Sequence, residues 1–374
     1  MEQKHTPLFE SFKFRSGVEV KNRIIMAPMT HSSSNDDGTV TDAELDYYAR
    51  RSDGPGLVIT ACIYVTPNGK GFPGEFAGDS DDMIPGLTRL AETIKAKGAK
   101  AVLQIFHGGR QAPPALVPNG DVVSASAVPS EQKPDVVPRE LTHEEIESII
   151  RDFGETTRRA AAAGFDGVEI HGANTYLLQQ FYSPHSNRRN DQWGGDIDRR
   201  LAFPLAVVDE VKRAAAEHAK GPFLVGYRFS PEEPETPGLT MEDTFRLVDE
   251  LAQKELDYLH VSLFDFRSKP ARGADESKTR LEWIAQRVGH LVPVVGVGSV
   301  HTADEAIEVQ QTGAPLVAIG RVLLTDPDWV QKVEAGRTDE IQPRLSLSSQ
   351  KRLVIPDGLW RMLTAREGWL PFTD

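Results

Sequence analysis

Cys62 is the only cysteine in 374 residues. That scarcity excludes a disulfide within the chain, a thiolate zinc site and a cysteine-held iron–sulfur cluster. Basic residues are outnumbered: 42 Lys and Arg face 55 Asp and Glu, for a formal charge of −13. Such a surface repels polyanions, so neither nucleic acid nor an anionic membrane is an expected partner. No apolar run approaches the length of a membrane span, and Met1 to Lys21 lacks the continuous hydrophobic stretch of a secretion signal. The composition reads as a soluble, cytoplasmic chain. Internal repeats and low-complexity tracts are also missing.

What the sequence does have is alternation. Short apolar runs at 23–26, 57–61, 101–106, 167–171, 223–229, 258–262, 293–297 and 316–319 are separated by longer helical patterns. Continuous apolar runs suit parallel strands covered on both faces. Thr41-Asp42-Ala43-Glu44 and Thr302-Ala303-Asp304-Glu305 are capping-box patterns that open helices, and 142–163 is the clearest long helix. Eight strand–helix units predict an α/β fold, a closed (β/α)8 TIM barrel. An open doubly wound sheet is the alternative, but no Gly-x-Gly-x-x-Gly turn follows the first strand. Residues 8–20 read as a hairpin, with Gly17 in its turn, covering the barrel bottom. The Pro- and Ser-rich stretch 111–138 is too long for a connector and reads as a lid or excursion. Beyond the eighth unit, 338–374 carries Leu359, Trp360, Leu363, Trp369 and Phe372. It should pack on the barrel or on a neighbouring subunit, which makes a homo-oligomer through this extension an expectation to test.

Barrel enzymes work at the C-terminal ends of their strands. Those ends supply Pro28, Met29 and Thr30 after the first strand, Ala61 at the second, and Gln104 and His107 at the third. The fourth supplies His171, Asn174 and Tyr176, and the fifth Arg228. Gly298 and Ser299 follow the seventh strand, and Gly320 and Arg321 the eighth. Gly298 and Gly320 permit tight turns on one reading. As a pair of glycine-rich turns they form a phosphate cradle on the other, with Arg321 adding a charge-assisted contact. A phosphate there fits a mononucleotide across the barrel mouth. Gln104 then faces a heterocycle edge, and Arg228 the charge of a reduced ring; the alternatives are a polar interior residue and a buried ion pair. His171, Asn174 and Tyr176 are either packed structural residues or two donors and an acid around one ligand oxygen. His107 and His171 lack the placed carboxylate a metal site needs, so no metal is expected.

These motifs resemble the Old Yellow Enzyme family. The resemblance rests on His171-Gly172-Ala173-Asn174-Thr175-Tyr176-Leu177, on 180–189 (QFYSPHSNRR) and on 194–200 (GGDIDRR). It extends from 22–29 (NRIIMAPM) through 104–110 (QIFHGGR) to Ile319-Gly320-Arg321. It implies one FMN-binding barrel over 1–374, with NADPH or NADH as reductant and a small electrophilic alkene as substrate. By the resemblance, Pro28, Met29, Thr30 and Ala61 wall the flavin ring, and Gln104 and Arg228 meet its pyrimidine edge. Gly298, Ser299, Gly320 and Arg321 hold its phosphate. His171 and Asn174 grip the carbonyl or nitro oxygen, and Tyr176 donates the proton. Thr30 stands where one branch of the family often carries cysteine, so sulfur is not expected to tune the site. A carrier that keeps the barrel without catalysis, and a flavin reductase acting on quinones, are the competing functions.

Overall fold

In the computed structural model, which describes residues 1–366 and 368–373, the apolar runs form the staves of a closed parallel barrel. They are β1 (Ile24–Met26), β2 (Leu57–Tyr64), β3 (Lys100–Phe106), β4 (Gly167–Gly172), β5 (Leu224–Phe229), β6 (Tyr258–Val261), β7 (Val294–Val297) and β8 (Leu316–Ile319). β8 pairs with β1 through Val317 opposite Ile24, which closes the ring. Residues along these strands are buried almost throughout, because helices cover the outside and side chains fill the inside. Arg228 in β5 is one of the few strand residues left half-buried.

β2 differs from the expected strand: it continues past Ala61 to Tyr64. Its pairing with β3 shifts register between Ile59 and Cys62, a bulge that re-aims Ala61 and Cys62. An apolar run gives no sign of such an inserted residue.

Threonine opens five of the helices. Thr41, Thr142, Thr240, Thr279 and Thr302 each accept from the backbone N–H three residues on, and the Glu or Asp there reaches back. Each cap contributes about 1 kcal/mol, and it fixes where the chain turns from loop to helix. The helix after β6 starts at Arg280, because Thr279 is its cap.

The hairpin is present as Phe12–Lys13 against Glu19–Val20, with Gly17 at φ 92° in its turn. Its Phe14, Val18 and Val20 join Leu57, Leu224 and Leu316 in one apolar cluster, so it plugs the barrel floor. The excursion is packed rather than loose. Val123–Ser124 runs beside Arg139–Glu140, and Val123 and Ala125 are fully buried. In the C-terminal extension, Leu345, Leu353, Ile355, Leu359 and Leu363 enter the chain's own core; Glu367 and Asp374 of the expected extension lie outside the described residues. Among the described residues no helix is long and apolar enough to cross a membrane.

Candidate active site

A cavity of about 620 Å³ opens at the C-terminal ends of the strands. Of the residues expected at the site, Met29, Asn174, Tyr176, Arg228, Gly298, Ser299, Gly320 and Arg321 line it. Gln132 from the excursion and Arg366 and Trp369 from the C-terminal extension complete its rim. Pro28, Thr30, Ala61, Gln104 and His171 are not among its lining residues, and the last three are buried.

The loop after β4 shows why its residue types matter. Asn174 and Thr175 both adopt positive φ, 57° and 64°, so two successive non-glycine residues sit in the left-handed region. For a β-branched threonine this is costly, and neighbours hold it: Gln111 donates to its Oγ1 at 2.8 Å and Gln180 to its carbonyl at 2.7 Å. The kink points Asn174 toward β6, where Ser262 donates to its Oδ1 at 3.0 Å. Its Nδ2 is the end left for a ligand.

His171 is fixed as well. The backbone N–H of Ala173 donates to Nδ1 at 3.3 Å, which leaves the proton on Nε2. Burial, then the nearby Arg228 and His260, push the imidazole well below its usual pKa, so it is a neutral donor. The Tyr176 ring lies edge-on to it at 5.0 Å, in an aromatic wall with Phe106 and Phe72. Burial raises the Tyr176 phenol well above its ordinary value, so it stays protonated.

Below this loop lies a buried polar row that sequence reasoning only half found. Gln104 Nε2 donates to Glu169 Oε1 at 2.7 Å, and His260 Nδ1 meets Glu169 Oε2 at 2.9 Å. Glu169 and His260 are fully buried. Both were hidden inside apolar strands, yet spacing offered a signal: Glu169 and His171 are two apart and share the inward face. Arg228 pairs in register with His171 on one side and His260 on the other. Its Nε is buried without a hydrogen-bond partner, an orphan cationic donor on the cavity wall.

At the far end, Gly298 has φ 132°, and a Cβ there would come within 2.9 Å of the Leu263 carbonyl and the Phe266 amide. Only glycine lets the β7 turn approach so closely. Arg321 Nη2 donates to Ser299 Oγ at 2.6 Å and stacks over Phe264. The result is a cation and a hydroxyl beside tight turns, the donor set an anionic phosphate takes.

Cys62 is the second feature missed. The bulge in β2 places it against Thr30 and the buried Glu75, both facing its thiol. Burial, then Glu75, raise the thiol well above its usual range, so it is an inert SH rather than a thiolate. Its sulfur lies beside Thr30, contributed by the neighbouring strand.

An orphan arginine at the ring end, a glycine-permitted cradle with Arg321 at the other, and an open cavity between them fit a flavin mononucleotide. The chain belongs to the NADH:flavin oxidoreductase / NADH oxidase family, the Old Yellow Enzyme family, whose pattern it matches over residues 7–340. It is a flavin-dependent NAD(P)H oxidoreductase with FMN as cofactor. Among its relatives is the "Probable NADH-dependent flavin oxidoreductase YqiG" of Bacillus subtilis (strain 168), 56% identical over all of both chains. The NADH:acrylate oxidoreductase of Vibrio harveyi is 44% identical over 95% of this chain but only 36% of its own length. Morphinone reductase, solved with tetrahydroNAD, superposes with a TM-score of 0.76 at 29% identity, covering 88% of this chain and 91% of that one.

Proposed function

We propose that this enzyme reduces activated C=C bonds, those of α,β-unsaturated carbonyl or nitro compounds, as one unit over residues 1–374. The observation that carries the reading is the convergence of three groups in fixed protonation states. His171 offers Nε2–H, Asn174 offers Nδ2–H, and the Tyr176 phenol stands edge-on to His171. Bound in the cavity, FMN supplies the two-electron exchange from reduced nicotinamide to the alkene. The two donors hold the substrate's oxygen and stabilise the negative charge that gathers there as the β-carbon is reduced. Tyr176 protonates the α-carbon; the carbanion-like acceptor makes a lowered phenol pKa unnecessary. Pro28, Met29, Thr30 and Ala61 shape the wall beside the ring, and Gln104 and Arg228 meet its polar edge. The acrylate in the Vibrio relative's name, an alkene conjugated to a carboxyl group, is consistent with this chemistry.

The test is anaerobic. The holoenzyme is reduced with NADH or NADPH and mixed with 2-cyclohexenone, for wild type and Tyr176→Phe. Rapid reoxidation by wild type, slowed about 10²-fold or more in the variant while a quinone still reoxidises both, is the expected result. Reoxidation by quinone alone would make this a quinone reductase, and a flavin that stays reduced would make it a carrier.

A further inference from the structure

The row beneath the cavity holds a charge that the proposed chemistry leaves unused. Glu169 is a carboxylate with no solvent exposure, and each of its oxygens has a partner on a different strand. Gln104 reaches it from β3. His260 reaches it from β6, across the whole width of β5. In the row of Gln104 and Glu169, β5 carries Gly226. A Cβ on Gly226 would come within 2.2 Å of the Tyr258 ring, so the glycine leaves room for that ring beside Glu169. Two residues further along β5, in the next row of the wall, Arg228 stands between His171 and His260.

The partners settle the charges. Burial disfavours an ionised Glu169, but His260, Arg228 and Gln104 together hold its carboxyl below the usual range. Burial also keeps His260 neutral, against the pull of Glu169. With its proton on Nδ1, neutral His260 donates to Glu169, and its Nε2 has no hydrogen-bond partner. The wall thus sets the Glu169 carboxylate, held by Gln104 and His260 with the Tyr258 phenol beside it, against the Arg228 guanidinium.

We infer that Glu169 is a positioning and charge-setting residue for the cofactor. Its carboxylate holds the Gln104 amide nitrogen, so that Gln104 presents its carbonyl to the ring edge, and it offsets Arg228, so that the reduced, negatively charged ring is stabilised less than Arg228 alone would allow. This inference needs only FMN in the cavity and not the alkene reaction, so the two stand or fall separately.

The sign follows from electrostatics. Removing the negative charge leaves Arg228 uncompensated and favours the reduced, anionic cofactor. Glu169→Gln holoenzyme should therefore show a raised two-electron midpoint potential. We expect at least a tenfold shift in the redox equilibrium, about 30 mV for a two-electron couple. Glu169→Asp keeps the charge but shortens the reach to Gln104. It should leave the potential near wild type and weaken FMN binding several-fold, read by fluorescence of released flavin. His260→Leu removes the donor that holds Glu169 ionised and should move the potential in the same direction as Glu169→Gln. It gives the reading if Glu169→Gln does not fold. An unchanged or lowered potential in whichever of these two variants binds FMN would overturn the inference. So would a Glu169→Asp potential that follows Glu169→Gln.

Discussion

His171 keeps one protonation state because two independent effects agree. Burial and the cation of Arg228 disfavour imidazolium, and the Ala173 N–H occupies Nδ1. Tyr176 is shifted upward, away from neutrality. Neither group ionises in the working range, so alkene reduction should show no limb from them between about pH 6 and 9. A pH–rate profile of the reoxidation step checks this; a limb lost in His171→Asn would contradict it. Asp152 behaves in the opposite way, since burial raises its carboxyl to about 6. The folded state therefore binds that proton more tightly than the unfolded chain does. Stability from this group is full below the unfolded value and is lost as pH rises through the folded one. Because the side chain is partly exposed, the cost at neutral pH is only about 1 kcal/mol. Asp152→Asn should raise the melting temperature at pH 7 and leave it unchanged near pH 4.

At the scale of elements, many of the signature residues prove to be scaffold. Asn187 Nδ2 donates to the carbonyls of Phe181 and Trp193, and Ser183 Oγ to Glu233. Arg189 Nη1 donates to the Ala125 and Leu141 carbonyls at 3.0 and 2.7 Å, stapling the excursion to the barrel. Charge-assisted bonds of this kind contribute about 1.5–3 kcal/mol each. Arg189→Ala should lower stability by about 3 kcal/mol and open 111–138 to limited proteolysis. Protection equal to wild type would show the excursion held by packing alone. Arg51 makes a comparable joint. Its buried guanidinium donates to the Leu323 and Leu353 carbonyls, tying the start of the barrel to the C-terminal extension. Sequence marks such residues as a motif without separating chemistry from carpentry, because both need a polar group at a fixed place.

For the whole molecule, the strand count, barrel closure and floor hairpin were legible because each follows from apolar periodicity and chain order. Cys62 and Glu169 were not. The first depends on a bulge that apolar residues do not announce, and the second on a partner two strands away that only the closed barrel brings near. The order of strand ends along the chain located the cavity. Which wall residues face it is set by such local irregularities, beyond what spacing conveys. The C-terminal extension was expected on the barrel or on a second subunit, and its leucines are taken up by the chain's own core.

Closure also carries a consequence for biosynthesis. β1 finds its second neighbour only when β8 leaves the ribosome, roughly 300 residues later, which at about 5–20 residues per second is some 15–60 s of waiting. Through that interval the edge of β1 lies open, and the floor hairpin has no finished ring to plug. The nascent enzyme therefore depends on whatever shields an early strand during translation. A synonymous change that slows elongation between β1 and β8 would lower yield without altering a single residue of the product.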